Sequence, residues 1–157
     1  MSPEIKSFAQ LIIGGYGVAG DKLKSVVSGH AINWPTQPDD RYRETADQLG
    51  KTHGGEFDRD YVAAMVDSHQ DLAAKLESRL EVQSLSDWKT AAAAGTQSRK
   101  MPGPNGDMGD EDVRPNPSDN EITTKISQCA AETYPVVQKH LDTVRTLENP
   151  MKKRSTN

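Results

Sequence analysis

An apolar seam with one imidazole set into it constrains this chain more than any other feature. Phe57, Tyr61, Met65, His69, Leu72, Leu76 and Leu80 follow at steps of three and four, which at about 3.6 residues per turn puts them on one helical face. Such a face needs burial against other helices. The seam therefore predicts a helical bundle whose main helix runs from about Glu56 to Glu81.

The rest of the chain supplies partners for that helix. Ser2-Pro3-Glu4 is a helix start, with a hydroxyl cap, proline at the first position and an acid in the first turn, and Ile5, Phe8, Ala9 and Ile12 continue a buried face. Gly14, Gly15, Gly17 and Gly20 each cost about 1 kcal/mol against alanine in a helix interior. The middle of this element is thus expected to fray or to pack unusually close to a neighbour, with the helix resuming from Asp21 to about Ser28. His30 to Pro38 reads as a loop because Pro35 and Pro38 disfavour helix in the residues before them. A short helix follows from Asp39-Asp40 to about Lys51, and another is expected around Leu85 to Ala94. The last helix is expected from about Ser118 to Leu147, on the seam Ile122, Ile126, Ala130, Thr133, Val137, His140, Val144 and Leu147, with a kink or break near Thr133 caused by Pro135.

Between the last two helical stretches, Gly95 to Asn120 carries Pro102, Pro104, Pro115 and Pro117 among glycines and acids. A segment of that composition cannot bury enough apolar surface to offset its ordering entropy, and reads as a long mobile loop. The fold class is accordingly all-α, with three long helices, short helices and this loop. One domain spans residues 1–149, followed by a flexible basic tail, 150–157, that carries Lys152-Lys153-Arg154.

Charge narrows the function classes. With a net charge of -4 and cations interleaved with acids, the chain lacks the basic face that phosphate binding requires, so no nucleic-acid partner is expected. Its longest early apolar run, Leu11-Ile12-Ile13, is far short of a signal-peptide core or a membrane span, and a soluble chain is expected. The single cysteine, Cys129, reads as a small core residue on a helical face.

Three blocks carry a resemblance. They are Ser2 to Gln10; Gly55 to Asp58 with Tyr61 and Met65 to His69; and Tyr134 to Leu141. Together they resemble the bacterial ferritin-like family catalogued as domain of unknown function 4142, often described as predicted outer membrane or periplasmic proteins. The resemblance implies a four-helix-bundle fold, usually exported, with no established enzymatic activity or cofactor. Three departures bear on function. Where the family usually has an acidic pair followed by histidine, this chain has Gly14-Gly15-Tyr16, so one of three bundle histidines is replaced by a phenol. The family's preceding helix and export signal are not found before Ser2. The resemblance thus points to the periplasm and the chain's own sequence to the cytoplasm. An open seam would then be covered by a second copy in a homodimer, by a short helix, or not at all. The stretch from Gly95 to Asn120 is also longer than the family's usual link.

The candidate chemistry lies in the seams. His69 and His140 sit near the middle of their helices, so in an antiparallel bundle they should face each other at similar height, with Tyr16 close by. Such a pair, joined by Tyr16 or Asp67, could bind zinc or copper; the alternative is a pair of buried polar residues that fix helix register. A ferritin-type di-iron site is excluded because Val66 and Val137 stand where Glu-x-x-His would need acids. His30 and His53 lie beside glycines and loops, where exposed or helix-end roles are expected. The acidic loop Asn105 to Asp112 lacks the alternating ligands and terminal glutamate of an EF-hand, no phosphate loop follows a strand, and no serine or cysteine stands in a nucleophile elbow. Two readings follow: a non-catalytic helical bundle of the bacterial envelope acting through contacts, with stress tolerance as a candidate role, or a metal-binding bundle using His69 and His140.

Overall fold

The computed structural model describes residues 1–95 and 113–154, with side chains at 150 and 152–154 excluded. The described residues form five helices and no strand: α1 Pro3–Val27, α2 Asp40–Leu49, α3 Gly54–Glu77, α4 Val82–Ala93 and α5 Glu121–Arg154. The three long ones, α1, α3 and α5, make the bundle, with α5 packed against both α1 and α3. None of the described helices is long and apolar enough to cross a membrane.

Local chemistry sets the helix starts. The Ser2 hydroxyl accepts the Ile5 N–H at 3.4 Å, Asp39 accepts the Tyr42 N–H at 3.2 Å, and Asn120 accepts the Thr123 N–H at 3.0 Å. Each satisfies a donor that the first turn leaves without a helical partner. A tertiary bond then fixes α1 against α3: the Ser2 N–H donates to both Asp58 carboxylate oxygens, at 2.9 and 3.2 Å.

The core divides into two clusters along the bundle. One joins α1, α3 and α5 through Ile5, Phe8, Val62, Leu141 and Val144. The other joins α3, α4 and α5 through Ala73, Trp88, Ala130, Ala131, Tyr134 and Val137. Trp88 stacks edge-on against Tyr134 at 5.3 Å, and the Tyr134 hydroxyl donates to Glu77 at 2.8 Å. Cys129 is free and buried, as a core residue should be.

Several expectations need correction. Helix α1 does not fray: it runs unbroken through Gly14, Gly15, Gly17 and Gly20. Burial of Ile5 and Phe8 at one end and Val27 at the other, with the Lys22–Glu132 ion pair to α5, outweighs the propensity cost, since tertiary packing supplies most helical stability. Helix α5 likewise continues through Pro135 without a break.

Helix α3 stops at Glu77, so Leu80 is not on its seam. Leu80 is instead buried in an isolated antiparallel bridge with Pro115. There the Glu81 N–H donates to the Arg114 carbonyl at 2.9 Å and the Asn116 N–H to the Arg79 carbonyl at 2.8 Å. Those bonds take up the backbone groups a longer helix would have used. They also correct the end of the expected loop: Val113 is 0% exposed, and the Arg114 N–H donates to the Ser84 hydroxyl at 3.0 Å. The remainder of that segment, 96–112, lies outside the described residues, as do 155–157; residues 150–154, where the expected flexible tail begins, instead continue α5.

Candidate functional site: an internal histidine and tyrosine chamber

Between the two core clusters, α1, α3 and α5 bring four rings together. Phe8 and Tyr16 come from α1, two turns apart and hence on the same face; His69 comes from α3 and His140 from α5. The imidazole centres are 5.9 Å apart, and Tyr16 lies 5.7 Å from His69 and 5.5 Å from His140. Phe8 closes the group at 6.1 Å from His69 and 6.5 Å from His140. The expected juxtaposition of His69, His140 and Tyr16 is therefore present. Asp67 does not join it. It is exposed, because a residue two positions before His69 points to the far side of α3.

Glycine makes the close approach possible. A Cβ placed on Gly15 would meet His140 Cε1 at 3.3 Å and Nε2 at 3.8 Å, whereas at Gly14 and Gly17 it would meet nothing within 4 Å. Of the two outcomes expected for the glycine run, fraying or close packing, Gly15 shows the second.

Three polar atoms of the chamber are unsatisfied. Among the described residues, the buried side-chain nitrogens and oxygens without a hydrogen-bond partner are Tyr16 Oη, His69 Nε2 and His140 Nδ1. All three belong to this one group of rings. His69 Nδ1 lies 2.6 Å from the Met65 carbonyl; since a carbonyl only accepts, Nδ1 carries the proton and Nε2 presents a bare lone pair. Burial lowers the pKa of both histidines, with His69 adding to the effect on His140, and burial pushes the Tyr16 phenol up to about 12. At neutral pH the chamber thus holds two neutral imidazoles and a neutral phenol.

A pocket of about 210 Å³ leads to this group, lined by Tyr16, Tyr42, Ser68, His69, Leu72 and Lys75. Tyr42 comes from α2, which buries none of its own residues and is tied to α3 by the Arg41–Asp71 ion pair. The Ser68 hydroxyl donates to the Met65 carbonyl at 3.1 Å. Sequence reasoning missed Tyr42 and Lys75 at this opening, because no periodicity links α2 to α3. It also named Phe8 only as a core residue. His30 and His53 are exposed, as expected, and among the described residues no three histidine, cysteine, aspartate or glutamate side chains stand close enough together to hold a metal ion.

Comparison with curated proteins and with solved structures gives no match. A family profile does match, that of the domain of unknown function DUF4142, over residues 1–100, which takes in α1 to α4 with Tyr16 and His69 and leaves His140 on α5 beyond it. On a match covering well over half of its length, this chain belongs to the DUF4142 family.

Proposed function

We propose that this chain is a non-catalytic helical bundle that works as a binding module, with the chamber between α1, α3 and α5 as its binding element. One observation carries the reading: every buried side-chain polar atom left without a partner among the described residues lies in that chamber. Buried polar groups are nearly always hydrogen-bonded, and each unsatisfied one costs about 1–3 kcal/mol. Three such atoms beside a pocket favour an occupant that satisfies them.

Catalysis is not favoured by the same geometry. The hydroxyl nearest His69 in sequence, Ser68, donates to backbone and not to an imidazole, and Asp67 is turned away from the rings. Ferritin-like ancestry and a place in the bacterial envelope belong to this proposal through the family resemblance of the three sequence blocks. A homodimer belongs to it through the outer face of α1, where Ile13 and Val18 are 74% and 73% exposed. A light-scattering mass of one chain at high concentration would remove the dimer.

Thermal unfolding against a panel of Zn(II), Ag(I), phosphate, acetate and benzamide tests the binding reading. At least one compound should raise the melting temperature of the wild type and not of His140→Leu. The reading fails if no compound does so and if His69→Leu with His140→Leu melts higher than the wild type. That second result is expected when buried polar groups serve only structure, since apolar replacements of similar size are then often stabilising.

A further inference from the structure

Resting on that binding reading, we infer that the chamber is a site for a singly charged, soft transition-metal ion, copper(I), held between His69 Nε2 and His140 Nδ1 with Tyr16 Oη beside it. The argument begins with His69. A metal-binding histidine typically donates its other ring N–H to a carbonyl or carboxylate, which fixes tautomer and orientation. The 2.6 Å bond to the carbonyl of Met65, one turn earlier on α3, does this for His69.

Ring separation agrees. A metal ion about 2.0 Å from a ring nitrogen lies roughly 3.2 Å from the ring centre, so two imidazoles sharing one ion stand at most about 6.4 Å apart. The observed 5.9 Å corresponds to a bent pair of nitrogens, and Tyr16 is nearly equidistant from both rings. Both imidazoles are more than nine-tenths buried and held neutral, so no proton has to leave before a metal binds.

The donor set then selects the ion. Calcium and magnesium take several oxygen ligands, most of them charged, whereas the one side-chain oxygen among these rings is the neutral Tyr16 phenol. A structural zinc site takes four ligands, often anionic, whereas this chamber offers two nitrogens and a phenol whose proton burial retains. With no anion to neutralise it and the Lys75 side chain lining the pocket, a divalent ion would be buried with its charge uncompensated. A monovalent ion carries the smaller penalty, and imidazole nitrogen is a suitable donor for copper. The pocket beneath Tyr42 supplies the path of entry.

The test uses the full chain carrying Cys129→Ser, which removes the only thiol as a competing ligand. Copper(I) is titrated anaerobically against a colorimetric chelator, with silver(I) as a redox-inert probe, and histidine ring signals are followed by NMR. The expected result is one ion per chain, shifts at His69 and His140 and not at His30 or His53, and a rise in melting temperature. His69→Gln and His140→Gln should each weaken binding by about 100-fold or more, at least what loss of a supporting outer contact can cost, while Tyr16→Phe should weaken it less. Because a glutamine variant could fail to fold, the wild-type NMR shifts are an independent reading. No binding by the folded Cys129→Ser chain, or binding that shifts neither histidine, overturns the metal assignment. If a non-metal member of the panel then binds through His140, the binding module stands without the metal; if none does, both fall.

Discussion

Two glycines two residues apart on α1 should respond oppositely to the same substitution. Replacing glycine by alanine in a helix interior stabilises by about 0.5–1 kcal/mol, because the unfolded chain loses conformational freedom that glycine would have kept. At Gly17 nothing lies within 4 Å of the new Cβ, so Gly17→Ala should realise that gain. For a chain of this size it corresponds to a rise of about 1–4 °C in melting temperature. At Gly15 the new Cβ lies 3.3 Å from His140 Cε1. The imidazole has to give by a few tenths of an ångström inside a group of four rings, and crowding of a packed site costs roughly 1–3 kcal/mol. Taking the lower end for one ring edge, Gly15→Ala should come out near neutral or destabilising. The two variants should therefore differ by about 1 kcal/mol or more. Urea unfolding of both variants, with the His140 ring signals recorded by NMR, measures the difference and its cause. Equal stabilisation by the two, with His140 signals unmoved, would refute the claim that Gly15 exists to admit the imidazole.

Three further outcomes are expected. Burial holds the pKa of His69 and His140 below the ordinary 6.5, so the unfolded chain binds more protons than the folded one on acidification. Stability should be fully present above about pH 6.5 and decline as the pH falls through that value toward the folded pKa values. Urea unfolding at pH 7.5 and 5.5 should show a smaller decline in a His69→Leu, His140→Leu double variant; an equal decline would place the protons elsewhere. Tyr134→Phe removes the hydroxyl bond to Glu77, which keeps its ion pair with Lys89. The loss should be about 1–2 kcal/mol by chemical denaturation, and no measurable loss would make that bond idle. Val113→Ala deletes two buried methyl groups at about 0.8 kcal/mol each, so a cost near 1.5 kcal/mol is expected, whereas an effect below about 0.3 kcal/mol would mean that 113–116 is not part of the core.

What the sequence determined by itself is local and periodic. Three- and four-residue spacing identified the long helices, and Ser2-Pro3 and Asp39 marked starts within a residue or so, because caps and periodicity act between residues close in the chain. The same spacing placed His69 and His140 mid-helix and hence at similar heights once the helices run antiparallel. Tertiary structure decided what depends on residues far apart. Leu80 fits a helical seam by spacing, yet the backbone of 114–116 claims the hydrogen-bonding groups on either side of it. The glycines of α1 predict fraying on propensity alone, and only the approach of α5 shows that Gly15 makes room for an imidazole. Asp67 appears beside His69 in sequence and is carried round the helix away from it, whereas Tyr42, from a helix with no periodic link to α3, arrives at the pocket. Above all, the neutrality of the two histidines and the isolation of their free nitrogens come from burial among three helices. That property belongs to the packed bundle and to no single stretch of the chain.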